Sequence, residues 1–196
     1  GDVLLLSSLS QNWWRVDGII EQYRKAMPNG VVIVGGHHMT QLPQMLPEKA
    51  DYGICGEGEL SLPALIEILR SEAKPSEEEL QKIDGLVYRA AEGSGVKWTQ
   101  PSRLKAEDIP FPEREALRAT PYLLTSRGCP FKCTFCSSAS FWQNVTYTPA
   151  ETLADEIQEI AEIYPDQKDL SIWDDLFVGN LQRLRDLRDI LRNRGL

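Results

Sequence analysis

Three of the four cysteines lie within one short stretch of the chain, and their spacing constrains the fold more than any other feature. Cys129, Cys133 and Cys136 form a C-x3-C-x2-C run. Three thiolates in one loop can hold three irons of a 4Fe–4S cluster and leave the fourth iron without a protein ligand, open to a substrate or cofactor. A fourth thiolate would close the cluster for electron transfer or complete a structural zinc site. The run therefore predicts a metal centre with one open position.

A three-cysteine zinc site is the alternative interpretation of this run. It would need a histidine as its fourth ligand. The two histidines of the chain, His37 and His38, are adjacent to each other and lie far upstream of the cysteines. This placement makes them poor partners for the cysteine loop and favours the cluster over zinc.

Charge and hydropathy indicate where the protein works and what it binds. The 196 residues carry a net charge of −8, whereas nucleic-acid binding needs a basic surface, so we expect a small-molecule or apolar substrate and no nucleic acid. No apolar run approaches the roughly 20 residues of a membrane span, and the start of the chain lacks the basic segment of a signal peptide. An oxygen-sensitive cluster also requires reduced thiols. We therefore expect a cytoplasmic protein with no transmembrane segment.

The first half of the chain alternates between buried-strand and helix patterns. Its continuous apolar runs are typical of buried parallel strands: Val3–Ser7, Val31–Val34 and Tyr52–Cys55. Helices are predicted at residues 12–27 and 42–46, and a third follows with Ser61 as its N-cap and Pro63 in its first turn. This order predicts an α/β fold, a Rossmann-like (flavodoxin-like) domain over residues 1–104, with helices on both faces of a parallel sheet.

The end of this domain and the segment after it differ in pattern. Two short apolar runs flank a glycine-rich turn, which predicts a β-hairpin near residues 85–98. The segment Ile109-Pro110-Phe111-Pro112 then excludes helix, because its two prolines stiffen the backbone. We expect residues 105–120 to be an interdomain linker.

The second half, residues 121–196, begins with a predicted strand at Tyr122–Thr125 that enters the cysteine loop directly. A capping box at Thr148 predicts the next helix, and a strand at Leu170–Trp173 ends at Asp174 and Asp175 before a final helix. Strand, loop, helix, strand and helix are the opening of a (β/α) barrel, whose functional groups lie at the carboxyl ends of its strands. A βαβ unit takes roughly 30 residues, so we expect only the first units of a partial barrel.

The cysteine run, with Phe135 directly before its third cysteine, closely resembles the signature of the radical S-adenosylmethionine (SAM) superfamily. The resemblance implies that the three cysteines bind a 4Fe–4S cluster, that the amine and carboxylate of SAM chelate the open iron, and that Phe135 lies near the adenine. It further implies that one electron from the cluster cleaves SAM to a 5′-deoxyadenosyl radical. An external donor of the flavodoxin or ferredoxin type would supply that electron. No catalytic side chain is assigned within the chain.

A second resemblance lies in the first half. Ser-x-Leu after the first predicted strand and Gly-Gly after the second resemble the downstream part of the cobalamin-binding motif, which implies that four residues approach the nucleotide tail of the cofactor: Ser7, Leu9, Gly35 and Gly36. Glycine lets the backbone approach a bulky ligand, and open parallel sheets bind ligands at their carboxyl edge. The family's upstream Asp-x-His-x-x-Gly does not occur in this chain, and His37 and His38 do not replace it.

Taken in order along the chain, these motifs resemble cobalamin-dependent radical SAM proteins, a family of methyltransferases on unreactive carbons and of anaerobic cyclases. The resemblance implies methyl transfer through cobalamin, from a chain truncated at both ends and therefore inactive alone. A cobalamin-free or cyclase-type radical enzyme, or a non-catalytic corrinoid or iron–sulfur binding module, remains an alternative. Asp174 and Asp175 are equally well interpreted as solvated loop acids or as contacts to the SAM amine or ribose.

Overall fold

The computed structural model of the chain describes residues 2–71, 75–90, 95–114, 121–142 and 144–196. The chain divides into two compact units, of which the first ends at Leu104 and the second covers Lys105–Leu196. Among the described residues, no helix is both long enough and apolar enough to cross a membrane.

The first unit is an α/β sandwich built on one five-stranded sheet. Its elements, in chain order, are β1 (Val3–Ser7), α1 (Val16–Ala26), β2 (Val31–Gly35), α2 (His37–Gln41), β3 (Tyr52–Ile54), α3 (Gly58–Ser71), α4 (Glu77–Leu80), β4 (Leu86–Arg89) and β5 (Val96–Trp98). Short 3-10 helices at Ser10–Arg15 and Pro43–Met45 precede α1 and follow α2.

The five strands lie in their sequence order, β1 to β5. The first three are parallel, with Ser7 beside Gly35 at the carboxyl edge of the β1–β2 pair. The strand β4 then pairs antiparallel with β3, and β5 pairs antiparallel with β4. The predicted α/β class is confirmed, but the sheet is mixed, because the hairpin pattern of residues 85–98 extends the same sheet. Four residues of the hairpin turn, 91–94, lie outside the described residues.

Helices cover both faces of the sheet, as the alternation of strands and helices predicted. In β2, Val32 and Val34 face α1 and α2, while Ile33 faces α3, because side chains alternate along a strand. On the first face Ile20 and other apolar side chains are fully buried. Apolar residues on both sides of β2 therefore account for its continuous hydrophobic run.

Three predicted helix features of this unit differ in the structure. The short helix expected at residues 42–46 is present as the 3-10 helix Pro43–Met45, and it is preceded by α2, which was not predicted and begins directly after the Gly35-Gly36 turn. The prediction of Ser61 as an N-cap is wrong, because α3 already begins at Gly58. The Ser61 hydroxyl instead donates to the carbonyl of Asp84 at 2.5 Å, so it joins α3 to the residue before β4. Pro63 accordingly lies inside the helix, beyond its first turn.

The second unit contains short strands and two long helices. In chain order these are β6 (Tyr122–Leu123), β7 (Ser126–Arg127), α5 (Ser138–Trp142), β8 (Thr146–Tyr147), α6 (Ala150–Ile163), β9 (Ser171–Ile172) and α7 (Leu181–Asn193). The strands β6 and β9 are parallel neighbours, with α6 in the crossover between them. The strands β7 and β8 form a separate antiparallel pair. The helices α6 and α7 pack through Leu153 and Leu187. The order β6, α6, β9 and α7 is that of a βαβα unit.

Two predictions for the second unit need correction. The single strand expected at Tyr122–Thr125 is interrupted, because the backbone N–H of Thr125 bonds to the carboxylate of Asp174 and not to a neighbouring strand. The capping box expected at Thr148 is absent, since Pro149 is the N-cap of α6 and makes no side-chain cap. The backbone of Thr148 donates to the carbonyl of Thr125, which ties it to β6 and β7.

The segment that was expected to be a linker is bound to α6 in its described part, residues 105–114. The guanidinium of Arg114 is buried and contacts the carboxylate of Glu156, also buried. Arg114 also donates to the carbonyl of Tyr122 at 3.2 Å, and its own carbonyl accepts from the Tyr164 hydroxyl. Arg114 therefore docks this segment on the second unit. The remaining residues of the expected linker, 115–120, lie outside the described residues.

Candidate functional site

Three of the four residues expected near the cobalamin tail, Ser7, Gly35 and Gly36, lie at one edge of the sheet in the first unit. Ser7 and Gly35 are the last residues of β1 and β2 and are direct neighbours across the pair. The backbone N–H of Ser8 donates to the carbonyl of Gly35 at 3.1 Å, and the N–H of His38 donates to the carbonyl of Ser8 at 3.2 Å. The loops after the two strands are therefore interlocked. Leu9 follows on the same loop, and its side chain is half exposed.

Gly36 is required by close packing of these two loops. Its φ of +92° is a conformation that L side chains rarely adopt, and an added Cβ would meet the Ser8 carbonyl oxygen at 2.6 Å and the Ser8 nitrogen at 2.7 Å. At Gly35, by contrast, the nearest atom to an added Cβ is 3.7 Å away. The strict requirement for glycine thus applies to the second residue of the pair.

Two buried polar atoms near this edge have no hydrogen-bond partner among the described residues, namely Ser8 Oγ and His38 Nε2. The other imidazole nitrogen, Nδ1, lies 3.0 Å from the Ser10 hydroxyl. Burial lowers the pKa of His38 from its usual value, which favours the neutral ring. Native proteins rarely leave buried polar groups unpaired. The orphaned atoms and the glycine cradle fit a bulky ligand that carries hydrogen-bonding groups, as cobalamin does.

Ser8 and Thr40 were not predicted as site residues, and His38 was excluded only as a replacement for the missing histidine of the cobalamin motif. Thr40 Oγ1 donates to the carbonyl of Gly36 at 3.0 Å and accepts from the backbone N–H of Gly56 at 2.9 Å. It therefore links the loop after β2 to the loop after β3. Ser8, His38 and Thr40 each follow closely after a predicted strand end, and this position was the signal that could have identified them.

The thiol of Cys55 takes no part in either predicted site. It is fully buried at the end of β3, and burial raises its pKa to about 11. A thiol held protonated is a poor metal ligand and a poor nucleophile, which agrees with the sequence-based interpretation of Cys55 as an inert core residue.

In the second unit, the three cysteines of the motif lie on the loop between β7 and α5. All three are free thiols; Cys129 is half-buried, whereas Cys133 and Cys136 are exposed. The N–H of Cys136 donates to the carbonyl of Cys133 at 3.0 Å, which forms a turn between these two residues. Phe135, expected near adenine, is 91% exposed.

The described ranges contain no group of three histidine, cysteine or acidic side chains that could hold a metal ion. The structure therefore places the three thiols on one loop without drawing them together. Their number and accessibility nevertheless suit an iron–sulfur cluster, because thiolates are its usual protein ligands.

Gly128 lies at the start of this loop, where the backbone is packed closely against neighbouring residues. Its φ is +87°, and an added Cβ would lie 2.7 Å from the carbonyl oxygen of Asn144 and 2.8 Å from Cβ of Trp142. Only glycine permits this approach, so the direction in which the chain reaches Cys129 depends on it.

The carboxylate of Asp174, which follows β9, is bound by Thr125 and Ser126 between β6 and the start of β7. It accepts from the backbone N–H groups of Thr125 and Ser126, at 2.6 and 3.1 Å, and from both of their hydroxyls. The carboxylate of Asp175 accepts from the hydroxyl of Ser138, the first residue of α5. Both acids, interpreted from the sequence either as solvated loop acids or as contacts to SAM, are thus hydrogen-bonded within the chain.

Arg183, from the first turn of α7, lies beneath the same strand end. It is 6% exposed, and it donates to the carbonyl and hydroxyl of Thr125 and, at 3.3 Å, to the carbonyl of Thr148. Burial lowers the pKa of Arg183, while the charge of Asp174 opposes that shift. Sequence reasoning missed this residue, because an arginine at the start of an amphipathic helix is usually solvated.

Comparisons with known proteins found one matching domain family and several relatives. The B12 binding domain family matches residues 1–66. The chain is similar to an uncharacterized methyltransferase of Pyrococcus horikoshii, with 31% identity over 86% of this chain and 38% of the relative. It is also similar to the cobalamin-dependent radical SAM methyltransferase TokK of Streptomyces tokunonensis, with 27% identity over 88% of this chain and 27% of the relative. Other relatives include the anaerobic magnesium-protoporphyrin IX monomethyl ester cyclase of Rubrivivax gelatinosus, at 23% identity over 82% of this chain and 31% of the relative.

A solved structure shares the fold over almost the whole chain. The apo structure of the cobalamin-dependent S-adenosylmethionine radical enzyme OxsB aligns with a TM-score of 0.68 and 22% identity, covering 99% of this chain and 28% of that one. The chain thus spans less than two fifths of the length of each protein compared here. The matched domain and the relatives together support a cobalamin-binding radical SAM family for this chain.

Proposed function

We propose that this chain carries the cobalamin site and the cluster loop of a radical SAM enzyme that transfers a methyl group to an unreactive carbon. The observation that carries the proposal is the order of two sites on one chain. A B12 binding domain match over residues 1–66 is followed by three free thiols on the loop between β7 and α5.

The residues of the first unit would bind the cobalamin tail at the carboxyl edge of the sheet. Gly36 keeps the two loops close to each other, and the orphaned polar atoms of Ser8 and His38 would pair with hydrogen-bonding groups of the tail. Pairing a buried polar atom removes a desolvation cost of roughly 1–3 kcal/mol. Cobalamin binding should therefore stabilise the first unit.

In the second unit, Cys129, Cys133 and Cys136 would hold the cluster. We infer that their thiols converge when iron binds, because a metal site is seldom formed in full before its metal arrives. When bound, the cluster would supply the electron that cleaves SAM and starts radical chemistry. The loop would orient the cluster and leave one iron open to SAM, and an external flavodoxin or ferredoxin-type protein would deliver the electron.

Cyclisation is the second candidate reaction, because the chain also resembles the anaerobic cyclase at 23% identity. Methylation is favoured by the higher identity to a methyltransferase, at 31%. The two differ in the fate of the SAM methyl group. A methyltransferase that uses cobalamin should move the label of methyl-labelled SAM into the corrinoid fraction, whereas a cyclase needs no such transfer.

Cofactor content tests the proposal directly. We expect the chain, reconstituted anaerobically with iron, sulfide and cobalamin, to retain about four irons and one corrinoid. Replacing Cys133 by Ala should remove the cluster and leave corrinoid content unchanged. The matched control, Cys55→Ala, also removes one thiol but should keep both cofactors, because Cys55 is buried in the first unit.

Each cofactor can fail separately in this experiment. A chain that retains iron but no corrinoid contradicts the cobalamin part of the proposal. Iron that is retained equally after Cys133→Ala contradicts the assignment of the cluster loop. Unlabelled corrinoid after incubation with reductant and methyl-labelled SAM, in a full-length protein that contains this chain and binds both cofactors, moves the assignment from methylation to cyclisation.

A further inference from the structure

Two consecutive carboxylates after β9 contact the chain on either side of the cysteine loop. Asp174 binds Thr125 and Ser126, which precede the first cysteine of the loop. Asp175 binds Ser138, which follows the last cysteine by two residues. One strand end therefore holds both the entrance and the exit of the loop.

The contact at the entrance is an extensive one. Asp174 accepts four hydrogen bonds, two from backbone N–H groups and two from hydroxyls. Its partners are deeply buried, since Thr125 is 1% and Ser126 3% exposed. Hydrogen bonds to an ionised carboxylate are roughly twice as strong as neutral ones, so this contact fixes the backbone direction just before Gly128.

A buried cation supports this carboxylate. Arg183 donates to the same Thr125 from the other side, through its carbonyl and its hydroxyl. Removing one partner of such a buried network leaves the other charge uncompensated, which is costly. The charge of Asp174 is therefore part of the support for the entrance.

The contact at the exit is smaller, and it joins the exposed Asp175 to a buried hydroxyl. The Ser138 side chain belongs to a residue that is 7% exposed, and its hydroxyl donates to one oxygen of Asp175. Since Ser138 begins α5, this bond joins the helix after the loop to the end of β9.

We propose that Asp174 and Asp175 are positioning residues that hold the two ends of the cysteine loop at a fixed separation. This inference rests on the proposed function, because it assumes that the loop binds a cluster. With both ends fixed, less conformational entropy is lost when three thiolates gather around the iron. The cluster should therefore be held more tightly and dissociate more slowly.

The competing role, direct contact of these acids with SAM, predicts a different result. If these acids contacted SAM, their replacement would raise the SAM concentration at which half of the clusters bind SAM (the half-maximal SAM concentration). The stability of the cluster without SAM would stay the same. A positioning role changes the loss of the cluster to a chelator when SAM is absent. The two measurements therefore separate the two roles.

The experiment uses the reconstituted chain and four variants: Asp174→Asn, Asp175→Asn, Ser138→Ala and the double variant Asp175→Asn/Ser138→Ala. Loss of iron to bathophenanthroline is followed by absorbance, without SAM. Asp189→Asn is the matched control, because Asp189 is an exposed acid of α7 paired with Arg188. Thermal unfolding of each variant is measured in parallel.

We expect Asp174→Asn and Asp175→Asn each to speed iron loss by about tenfold, the effect of losing one charge-assisted hydrogen bond. Ser138→Ala should speed iron loss at least as much as Asp175→Asn, whose amide oxygen can still accept from the hydroxyl, and the double variant should be no faster than Ser138→Ala, because all three variants act on the same bond. The half-maximal SAM concentration should stay within about twofold of the original chain, well below the tenfold change that the loss of one direct contact brings. Asp189→Asn should behave as the original chain.

Other outcomes overturn the inference. Asp175→Asn and Ser138→Ala are expected to leave the unit folded. If both variants lose iron at the original rate, the bond between Asp175 and Ser138 does not hold the exit of the loop. Unchanged iron loss with a large rise in the half-maximal SAM concentration assigns the acids to SAM. If the original chain never retains iron, the proposed function itself fails, and this result differs from every outcome above.

Discussion

The imidazole of His38 stacks on the indole of Trp13, with ring centroids 3.9 Å apart and planes 23° from parallel. Trp13 lies in the 3-10 helix after β1, and His38 lies in α2 after β2. The stack therefore joins the two loops that border the carboxyl edge of the sheet, where cobalamin is proposed to bind. It also places the fluorescent indole of Trp13 at this edge. A ligand that pairs with Nε2 of His38 should change the emission of Trp13.

Ser8→Ala is expected to weaken cobalamin binding without lowering the stability of the cobalamin-free chain. The Ser8 hydroxyl is buried and unpaired among the described residues, so its removal abolishes a desolvation cost of roughly 1 kcal/mol. The same removal deprives the cobalamin tail of a partner, which should raise the dissociation constant about fivefold or more. Tryptophan quenching titrations and urea unfolding measure the two effects.

Ser10→Ala provides the comparison, because the Ser10 hydroxyl is paired with His38 Nδ1. It should reduce stability and affect binding only through the orientation of the ring. A Ser8→Ala chain that loses stability and binds cobalamin as before would show that this hydroxyl serves the fold alone.

His38 should make the first unit less stable in mild acid. Burial lowers its pKa from the usual 6.5 in the folded chain, so the unfolded chain binds the proton more readily. The stabilising effect of the neutral ring is complete above about pH 6.5 and is lost as the pH falls toward the lowered folded pKa. Urea unfolding between pH 5 and 8, followed through tryptophan emission, measures this slope, and His38→Gln should reduce it.

Gly36→Ala is expected to destabilise the first unit by several kcal/mol, because the residue has a positive φ and an added Cβ would meet backbone atoms of Ser8. Gly18→Ala is the matched control. Gly18 lies in α1 with no atom within 4 Å of an added Cβ, so alanine there should stabilise the unit by about 0.5–1 kcal/mol. Equal effects of the two substitutions on urea unfolding would contradict the described packing.

The buried ion pair of Arg114 and Glu156 should be costly to break and tolerant of apolar replacement. Burial raises the pKa of Glu156 more than Arg114 lowers it, and Arg114→Ala leaves that carboxylate without its cation. The loss of one partner should cost about 3–5 kcal/mol, whereas the double variant Arg114→Met/Glu156→Leu should cost much less. Denaturant unfolding of the second unit tests this, with Arg194→Ala, which removes an exposed pair with Asp155, as the control.

The sequence was sufficient to predict features that depend on local patterns. The bounds of β1 were predicted correctly, because a continuous apolar run followed by two serines has few other interpretations. The neighbouring positions of Ser7 and Gly35 also followed, since parallel strands place their carboxyl ends at one edge. The assignment of the three cysteines as cluster ligands stays a prediction, because their thiols are not gathered into one metal-binding group in the described residues.

Features that depend on distant partners were not predictable from the same patterns. Asp174 and Thr125 are 49 residues apart in the sequence, and Arg183 and Thr125 are 58 apart. Nothing near either residue indicates these bonds. Local capping signals were misleading for a related reason: Ser61 and Thr148 look like N-caps, but the structure uses them to bind Asp84 and Thr125.

The proposed function requires that the cysteine loop hold a cluster whose open iron binds SAM. Electron paramagnetic resonance of the reduced, reconstituted chain, before and after addition of SAM, tests both requirements. We expect a signal of a reduced 4Fe–4S cluster whose g values change on addition of SAM and that is absent in Cys133→Ala. A cluster signal that SAM leaves unchanged would contradict the open iron, and a signal that persists in Cys133→Ala would contradict the loop as its site.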